Sequence, residues 1–356
     1  MAKLDLGKRK NQIWTVVAII LAALSIWAVA KQTKDYSLAN FREFIAGANP
    51  FWLFMAILCM ISFIVFEGLA LLCVLKAFGY KRAVNKGIVY SAADIYFSAI
   101  TPSATGGQPA SAYFMMADGV PAAVSAVALL LNLVMYTASI MAIGIIAVLI
   151  NPHLFIDFTT PSKALIIIGY LLQGLLCTAI ILLIRREDWV HAIGSALIRI
   201  LGKIRIIRST ERFEKKLDRI TNEYRDCAEM IDGHRGMLVK CFVFNFLQRS
   251  LQICVSAMLF LAGGGSAGKA VDIWVTHAFS VIGSNCIPVP GAMGVIDYLL
   301  LDGMNNLMDE EAAISLELAS RGISFYICVF TCILIVAVGH FAIKRRVDYL
   351  ENEDDE

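Results

Sequence analysis

The chain has 356 residues, of which 58% are hydrophobic and 17% are charged, and its mean hydropathy is +0.70. These values exclude an ordinary soluble domain of this length and indicate that much of the chain lies in a lipid bilayer. The net charge of +2 is nearly balanced, and the five histidines and nine cysteines show no metal-ligand spacing. We therefore expect no metal, no cofactor and no nucleic-acid partner.

Apolar stretches long enough to cross a bilayer recur along the chain, and such a helix needs about 20 largely apolar residues. The first stretch follows the basic run 8–10 and has no small-residue cleavage site before the polar residues 31–34. We interpret it as a retained helix and not as a signal peptide. The six predicted spans are 12–30, 50–76, 121–150, 163–184, 237–262 and 313–343.

Two less regular apolar regions, 87–118 and 270–302, lie between these spans, and each contains a Pro/Gly-rich kink. The kinks are TPSATGGQP at 101–109 and PVPGAMG at 288–294. Freed backbone groups at membrane depth persist only where protein or a water-filled cavity covers them. The two kinks therefore indicate a pathway through the membrane.

The distribution of Lys and Arg indicates whether these regions cross the bilayer or turn back. If both are re-entrant, most of the 31 basic residues, including those of the basic segment 185–236, lie on the cytoplasmic side. If instead 87–118 crossed fully, that segment would face outward and violate the positive-inside rule. A helix over 87–100 would also rise only about 21 Å against a hydrocarbon core of about 30 Å. We therefore predict two re-entrant hairpins and cytoplasmic termini.

This topology predicts an all-α polytopic membrane protein with an inverted repeat. A span, a re-entrant hairpin and a span occupy 50–150, and the same series in the opposite sense occupies 237–343. Inverted repeats with broken helices near the midplane underlie alternating access in secondary transporters. The alternative is that the two hairpins only fill space.

The kinks also suggest anion-binding groups. Thr101 before Pro102 has the pattern of an N-cap followed by a proline at the first helical position. The backbone N–H groups of Gly106 and Gly107 could be exposed where a half-helix starts again near Pro109, and such an end attracts phosphate. Alternatively, the glycines only permit close helix packing. The candidate head-group residues are Thr101, Gly106, Gly107, Gln108, Arg249, Pro290, Gly291 and Arg321.

Charged residues within the apolar regions form a second set of candidates, because a charge at the bilayer centre is costly and normally paired. We hypothesise that Glu67 and Arg249 face each other or share a cavity, and that Arg321 forms a second set with its neighbours. A planar guanidinium suits phosphate, although structural ion pairing is an equal alternative. The predicted charge partners are Glu67, Asp94, Asp297 and Glu317.

The two motifs resemble those of a known family. The run 100–109, followed by Tyr113 and Asp118-Gly119, is similar to the first signature of the lysylphosphatidylglycerol synthase transmembrane region, also called the flippase-like domain. Pro288 to Val295, with Asp297 and Arg321 beyond, is similar to the second. Ala292 stands where the family commonly has glycine, and Asp297 where it commonly has glutamate. The resemblance covers about residues 10–345.

The resemblance implies a cytoplasmic N-terminus over 1–11, a flippase-like domain over 12–346 and an acidic cytoplasmic tail over 347–356. It implies a bacterial plasma membrane, a phospholipid or polyprenyl-phosphate partner, a separate lipid-modifying enzyme, and resistance to cationic peptides. Complete synthases carry a soluble aminoacyl-transferase domain, which we do not find after residue 346. The expected function is therefore lipid movement between leaflets. Phosphatidylglycerol aminoacyl transfer and small-solute transport remain alternatives.

Overall fold

The computed structural model describes residues 44–101, 104–185, 233–285 and 294–353, with single positions at 195, 231 and 287, and it describes side chains as far as residue 342. All regular secondary structure in these residues is helical. The elements are α1 (Pro50–Ala77), α2 (Val84–Ile100), α3 (Gly107–Ala117), α4 (Ala122–Ile150), α5 (Pro152–Asp157), α6 (Thr160–Arg185), α7 (Arg235–Ala262), α8 (Ala267–Ser284), α9 (Val295–Met304), α10 (Glu310–Arg321), a π-helix (Gly322–Ile327) and α11 (Cys328–Glu353).

Among the described residues, five helical segments are long and apolar enough to cross a membrane. Four of them are α1, α4, α6 and α7, and the fifth runs through α10, the π-helix and α11 as far as Ala342. They coincide with five of the six predicted spans. The remaining predicted span, 12–30 at the start of the chain, lies outside the described residues.

The outward faces of these segments are apolar, as lipid contact requires. Leu149 on α4 is 77% exposed, Leu175 on α6 is 67% exposed and Val338 on α11 is 70% exposed. Large apolar side chains are rarely exposed in continuous faces of this kind on a soluble protein. The bilayer, and not the protein interior, therefore accounts for much of the hydrophobicity of the sequence.

Region 84–118 folds as a helical hairpin. Asp118, which follows α3, accepts hydrogen bonds from Lys86 (2.7 Å) and Tyr90 (2.8 Å) in the first turns of α2. These contacts hold the end of α3 beside the start of α2. The chain therefore enters and leaves the hairpin at the same end, and the break near Thr101 forms its tip.

Region 267–304 folds as a second hairpin. The Nζ of Lys269, at the start of α8, donates to the carbonyl oxygen of Leu307 just beyond α9 (3.2 Å). Near the other end, a Cβ at Gly283 would lie 2.7 Å from the side chain of Leu299. The two helices therefore run side by side in opposite directions, and the tip between them falls largely outside the described residues.

The two halves of the described structure pack on each other in similar ways. Helix α1 of the first half lies along α7 of the second half. In the first hairpin, α2 packs on α1 and α11, and α3 packs on α4. In the second hairpin, α8 packs on α7, α6 and α4, and α9 packs on α10. Each hairpin therefore contacts helices of both halves.

Candidate functional site

A buried polar pair lies where α1 meets α7. Glu67 in the middle of α1 is 7% exposed, and Gln248 on α7 is 1% exposed. The Gln248 Nε2 donates to the Glu67 Oε2 over 2.9 Å. A carboxyl group in a spanning helix is costly unless it has such partners. The pair therefore joins the two halves through their polar centre.

Small residues bring α2 close to this pair. A Cβ at Gly68, next to Glu67, would lie 2.7 Å from the backbone carbon and oxygen of Gly87 on α2. Only glycine allows two helix backbones to approach so closely. This contact places Ser91 and Asp94 of α2 near Glu67, and both interact with its carboxyl group.

Arg249 lies one residue beyond Gln248 and is held mainly by neutral and aromatic groups. Its Nη1 donates to the side-chain oxygen of Gln252. Its guanidinium carbon lies 3.9 Å from the ring centroid of Tyr136 on α4 and 5.3 Å from that of Phe63 on α1. Cations over aromatic faces are attracted by the ring quadrupole. The aromatic rings therefore fix the orientation of the guanidinium.

The hypothesis that Glu67 and Arg249 share one region agrees with their positions, although they do not form a direct ion pair. Arg249 interacts electrostatically with both Glu67 and Asp94. The ion pairs between described residues do not include Arg249. Its buried Nε has no hydrogen-bond partner in the described structure. One donor of this arginine is therefore unused.

Thr101 closes the tip of the first hairpin. Helix α2 continues to Ile100, and Thr101 is its C-cap. The Thr101 Oγ1 donates to the Phe97 carbonyl oxygen (2.6 Å) and accepts from the Gly106 N–H (2.9 Å). The helix that Thr101 was predicted to cap would start at residues 102–103, which lie outside the described residues. The Gly106 amide is already occupied.

Helix α3 begins at Gly107, two residues before the predicted start near Pro109. A Cβ at Gly107 would lie 2.1 Å from the Asp94 Oδ1 and 2.1 Å from the Ser98 Oγ. Glycine is therefore required for close packing, as the alternative interpretation held. The Asp94 carboxyl group also faces the positive end of α3.

Gln108 is half-buried in the first turn of α3 and makes no side-chain hydrogen bond to a described residue.

A second charged cluster lies at the start of α9. Arg321 on α10 forms an ion pair with Asp297, and its Nε lies 3.5 Å from the Glu317 Oε1 one turn earlier. The Asp297 Oδ2 also accepts from the Gly294 N–H over 2.8 Å and caps α9. Gly294 has a φ of +81°, a conformation that favours glycine. The structure thus brings together Asp297, Glu317 and Arg321, whereas Pro290 and Gly291 lie outside the described residues.

The π-helix begins directly after Arg321. Such segments are rare and are frequently found at functional sites. Here it separates the charged residues of α10 from the apolar α11. The interruption therefore lies within a spanning segment and next to the partly buried Arg321.

Neutral polar side chains also form hydrogen-bond networks, which the charged residues of the sequence did not predict. The Tyr136 hydroxyl donates to the Asn285 Oδ1 (2.8 Å), and the Asn285 amide reaches Gln173 on α6 (3.5 Å). The Ser256 hydroxyl lies 2.7 Å from the His277 Nδ1 and 2.7 Å from the Ser320 hydroxyl. The sequence signal that could have predicted these networks is the presence of amide and hydroxyl side chains within apolar stretches. In the described part of the chain, no three His, Cys, Asp or Glu residues form a potential metal site.

Spanning-length helices around buried charged side chains define a multi-pass membrane protein. The family model described as the lysylphosphatidylglycerol synthase TM region matches residues 13–332, and the chain belongs to this family. The resemblance drawn from the two motifs is therefore confirmed. The family also makes this a lipid-related membrane protein. No curated protein matches the chain.

Proposed function

We propose that the protein moves a phosphate-bearing amphiphilic lipid between the two leaflets of the membrane. The observation that carries this proposal is Arg249, a guanidinium oriented by aromatic rings at the centre of the bundle with a donor unused in the described structure. A planar guanidinium can donate two hydrogen bonds to one phosphate. The lipid tails would remain in the bilayer while the head group passes Arg249.

The two hairpins are proposed as the moving parts. Both enter and leave at one end, and each packs on helices of both halves. We propose that they are re-entrant from opposite sides and form an inverted repeat around α1 and α7. Exchange of exposure between two such hairpins is the alternating-access mechanism of repeat-built transporters.

The contacts at the hairpin tips revise how the head group would be held. Asp94 faces the start of α3, and Asp297 caps α9, so the positive ends of both half-helices already have a carboxyl partner. A free phosphate would have to displace these groups. We therefore propose that Arg249, which forms no ion pair with a described residue, provides the main phosphate contact, and that the half-helix ends position the carboxyl groups.

The proposed orientation places both termini in the cytoplasm of a bacterial cell, with the protein in the plasma membrane. Most Lys and Arg residues then lie on the cytoplasmic side, in keeping with the positive-inside rule. Cysteine labelling from each side of intact cells, with single cysteines at exposed Lys81 and Lys269, tests this orientation. Lys81 should react from the cytoplasmic side and Lys269 from the outside.

The function is tested by substituting Arg249 in protein reconstituted into liposomes. Arg249→Gln removes the charge, Arg249→Lys keeps the charge without the planar fork, and Arg235→Gln is a matched control at an exposed position on the same helix. We expect lipid exchange to fall most in Arg249→Gln, less in Arg249→Lys and not in the control. Undiminished exchange in folded Arg249→Gln protein would contradict the proposal.

A further inference from the structure

One hydrogen-bond acceptor of the pair Glu67 and Gln248 has no donor among the described residues, and the chemistry of the missing donor points to a ligand. Gln248 is 1% exposed and donates its Nε2 to Glu67, but its Oε1 is buried and has no hydrogen-bond partner in the described structure. An orphan acceptor beside a buried carboxyl group lacks a donor. A proton on Glu67 is that donor.

The groups around Glu67 compensate its charge only in part. Arg249 interacts with it electrostatically, but its hydrogen bond goes to Gln252. Ser91 on α2 lies beside Glu67 and donates its own proton to the carbonyl oxygen of Ile64 over 2.8 Å. Ser91 and Gln248 are neutral, so among the described residues Arg249 is the cation that acts on Glu67.

The other titratable groups that face Glu67 add no positive charge. They are Asp94 on α2, and Cys328 and Cys332 on α11. Two carboxyl groups, Glu67 and Asp94, thus share the influence of one arginine within the membrane. Like charges at close range cannot both be retained in a medium of low dielectric. One proton bound to the pair restores neutrality.

We propose that Glu67 and Gln248 form a proton-binding site that couples lipid movement to a proton gradient. The proposal rests on the proposed function. In the protonated state the Glu67 O–H donates to the Gln248 Oε1, while the Gln248 Nε2 keeps its hydrogen bond to the Glu67 Oε2. When the proton leaves to water, the Nε2 bond remains and the Oε1 loses its donor, which is the arrangement in the structure.

The position of the site explains how a proton would affect transport. Glu67 lies on α1 and Gln248 on α7, the two helices through which the halves pack on each other. Loss of the proton leaves a carboxylate that attracts the nearby guanidinium of Arg249. Proton binding releases that attraction and leaves Arg249 available for phosphate. Proton and lipid therefore act on the same arginine.

Infrared difference spectra of the protein in membranes, recorded between alkaline and acidic pH, test the site directly. Among the carboxyl carbonyl bands that appear on acidification, the wild type should show one component that is missing from Glu67→Gln. Glu311→Gln, at an exposed position of α10, should retain it. Gln248→Met removes the acceptor and should shift the band toward the frequency of an unbonded carboxyl group. If this component is retained in Glu67→Gln, or absent from the wild type, the proposal is overturned.

Lipid exchange under an imposed pH gradient separates this proposal from the proposed function. The wild-type rate should change with the gradient, and the rate of Glu67→Gln should not respond to it. Exchange that occurs equally with and without the gradient overturns the coupling and leaves lipid movement intact. A titrating carboxyl band without any lipid exchange upholds the proton site and overturns the lipid function.

Discussion

Gly68 on α1 faces Gly87 on α2 so closely that a Cβ at Gly68 would lie 2.7 Å from the Gly87 backbone. This approach puts α2 against the helix that carries Glu67. It is the packing contact that places the first hairpin beside the polar centre. Ser91 and Asp94, which follow Gly87 on α2, interact with Glu67 because the two helix backbones are this close.

Gly68→Ala should destabilise the fold because the added methyl group meets backbone and not a flexible side chain. We expect a cost of about 1–3 kcal/mol, as for other overpacked sites. Gly236→Ala on α7 is the matched control, because nothing lies within 4 Å of the added Cβ. Thermal unfolding in detergent measures both variants. Equal unfolding temperatures for the two variants would show that α1 and α2 can separate at no cost.

The contacts of Asp118 should hold the first hairpin closed. Asp118→Ala removes the acceptor used by Lys86 and Tyr90, and we expect a loss of about 1–3 kcal/mol in stability. In a Lys86→Met background the same change should cost less, since the ion pair is already gone. A double-mutant cycle of unfolding free energies measures the difference. Additive effects of the two substitutions would argue against a direct interaction.

Arg321 should be a structural cation as well as a candidate lipid contact. Arg321→Gln leaves the carboxyl groups of Asp297 and Glu317 without their cation, and we expect a loss of about 3–5 kcal/mol. Adding Asp297→Asn and Glu317→Gln should restore much of the stability, because no charge then remains unpaired. Thermal unfolding measures this recovery, and lipid exchange by the neutral triple variant measures the separate role of the arginine. A triple variant less stable than Arg321→Gln would contradict the pairing.

Tyr136 should act on lipid movement mainly through its ring. Tyr136→Phe keeps the aromatic face over Arg249 and removes the hydroxyl that donates to Asn285, whereas Tyr136→Leu removes both. Cation–π contacts contribute about 0.5–2 kcal/mol, so Tyr136→Leu should reduce lipid exchange severalfold more than Tyr136→Phe. Exchange rates of the two folded variants measure this. Equal reductions would assign the effect to the hydroxyl group instead.

The long helices were predictable because span length and hydrophobicity are properties of the local sequence. The breaks at Thr101 and before Gly294 were also readable from proline and glycine. The details of the first break were not, because Thr101 can cap a helix from either side. Its hydroxyl bonds to Phe97 and Gly106, and this choice depends on how the hairpin closes.

The candidate site was predictable in its charged residues and not in their partners. Glu67, Asp94 and Arg249 stand out in an apolar sequence, but their mutual contacts depend on helix rotation and depth. Gln248 was missed, although it donates to Glu67, because a neutral amide gives a weak signal in a spanning helix. The pairing of Asp297 with Arg321 followed from the expectation that buried charges find partners.

The most direct test of the account compares leaflet exchange of two labelled lipids in proteoliposomes. One is phosphatidylglycerol, and the other is a diacylglycerol with the same acyl chains and no phosphate, corrected for its exchange in protein-free liposomes. We predict that the wild type accelerates exchange of the phosphate-bearing lipid alone and that Arg249→Gln loses this acceleration. Equal acceleration of both lipids, or none for either by folded protein, would contradict the proposal that Arg249 carries a phosphate head group across the membrane.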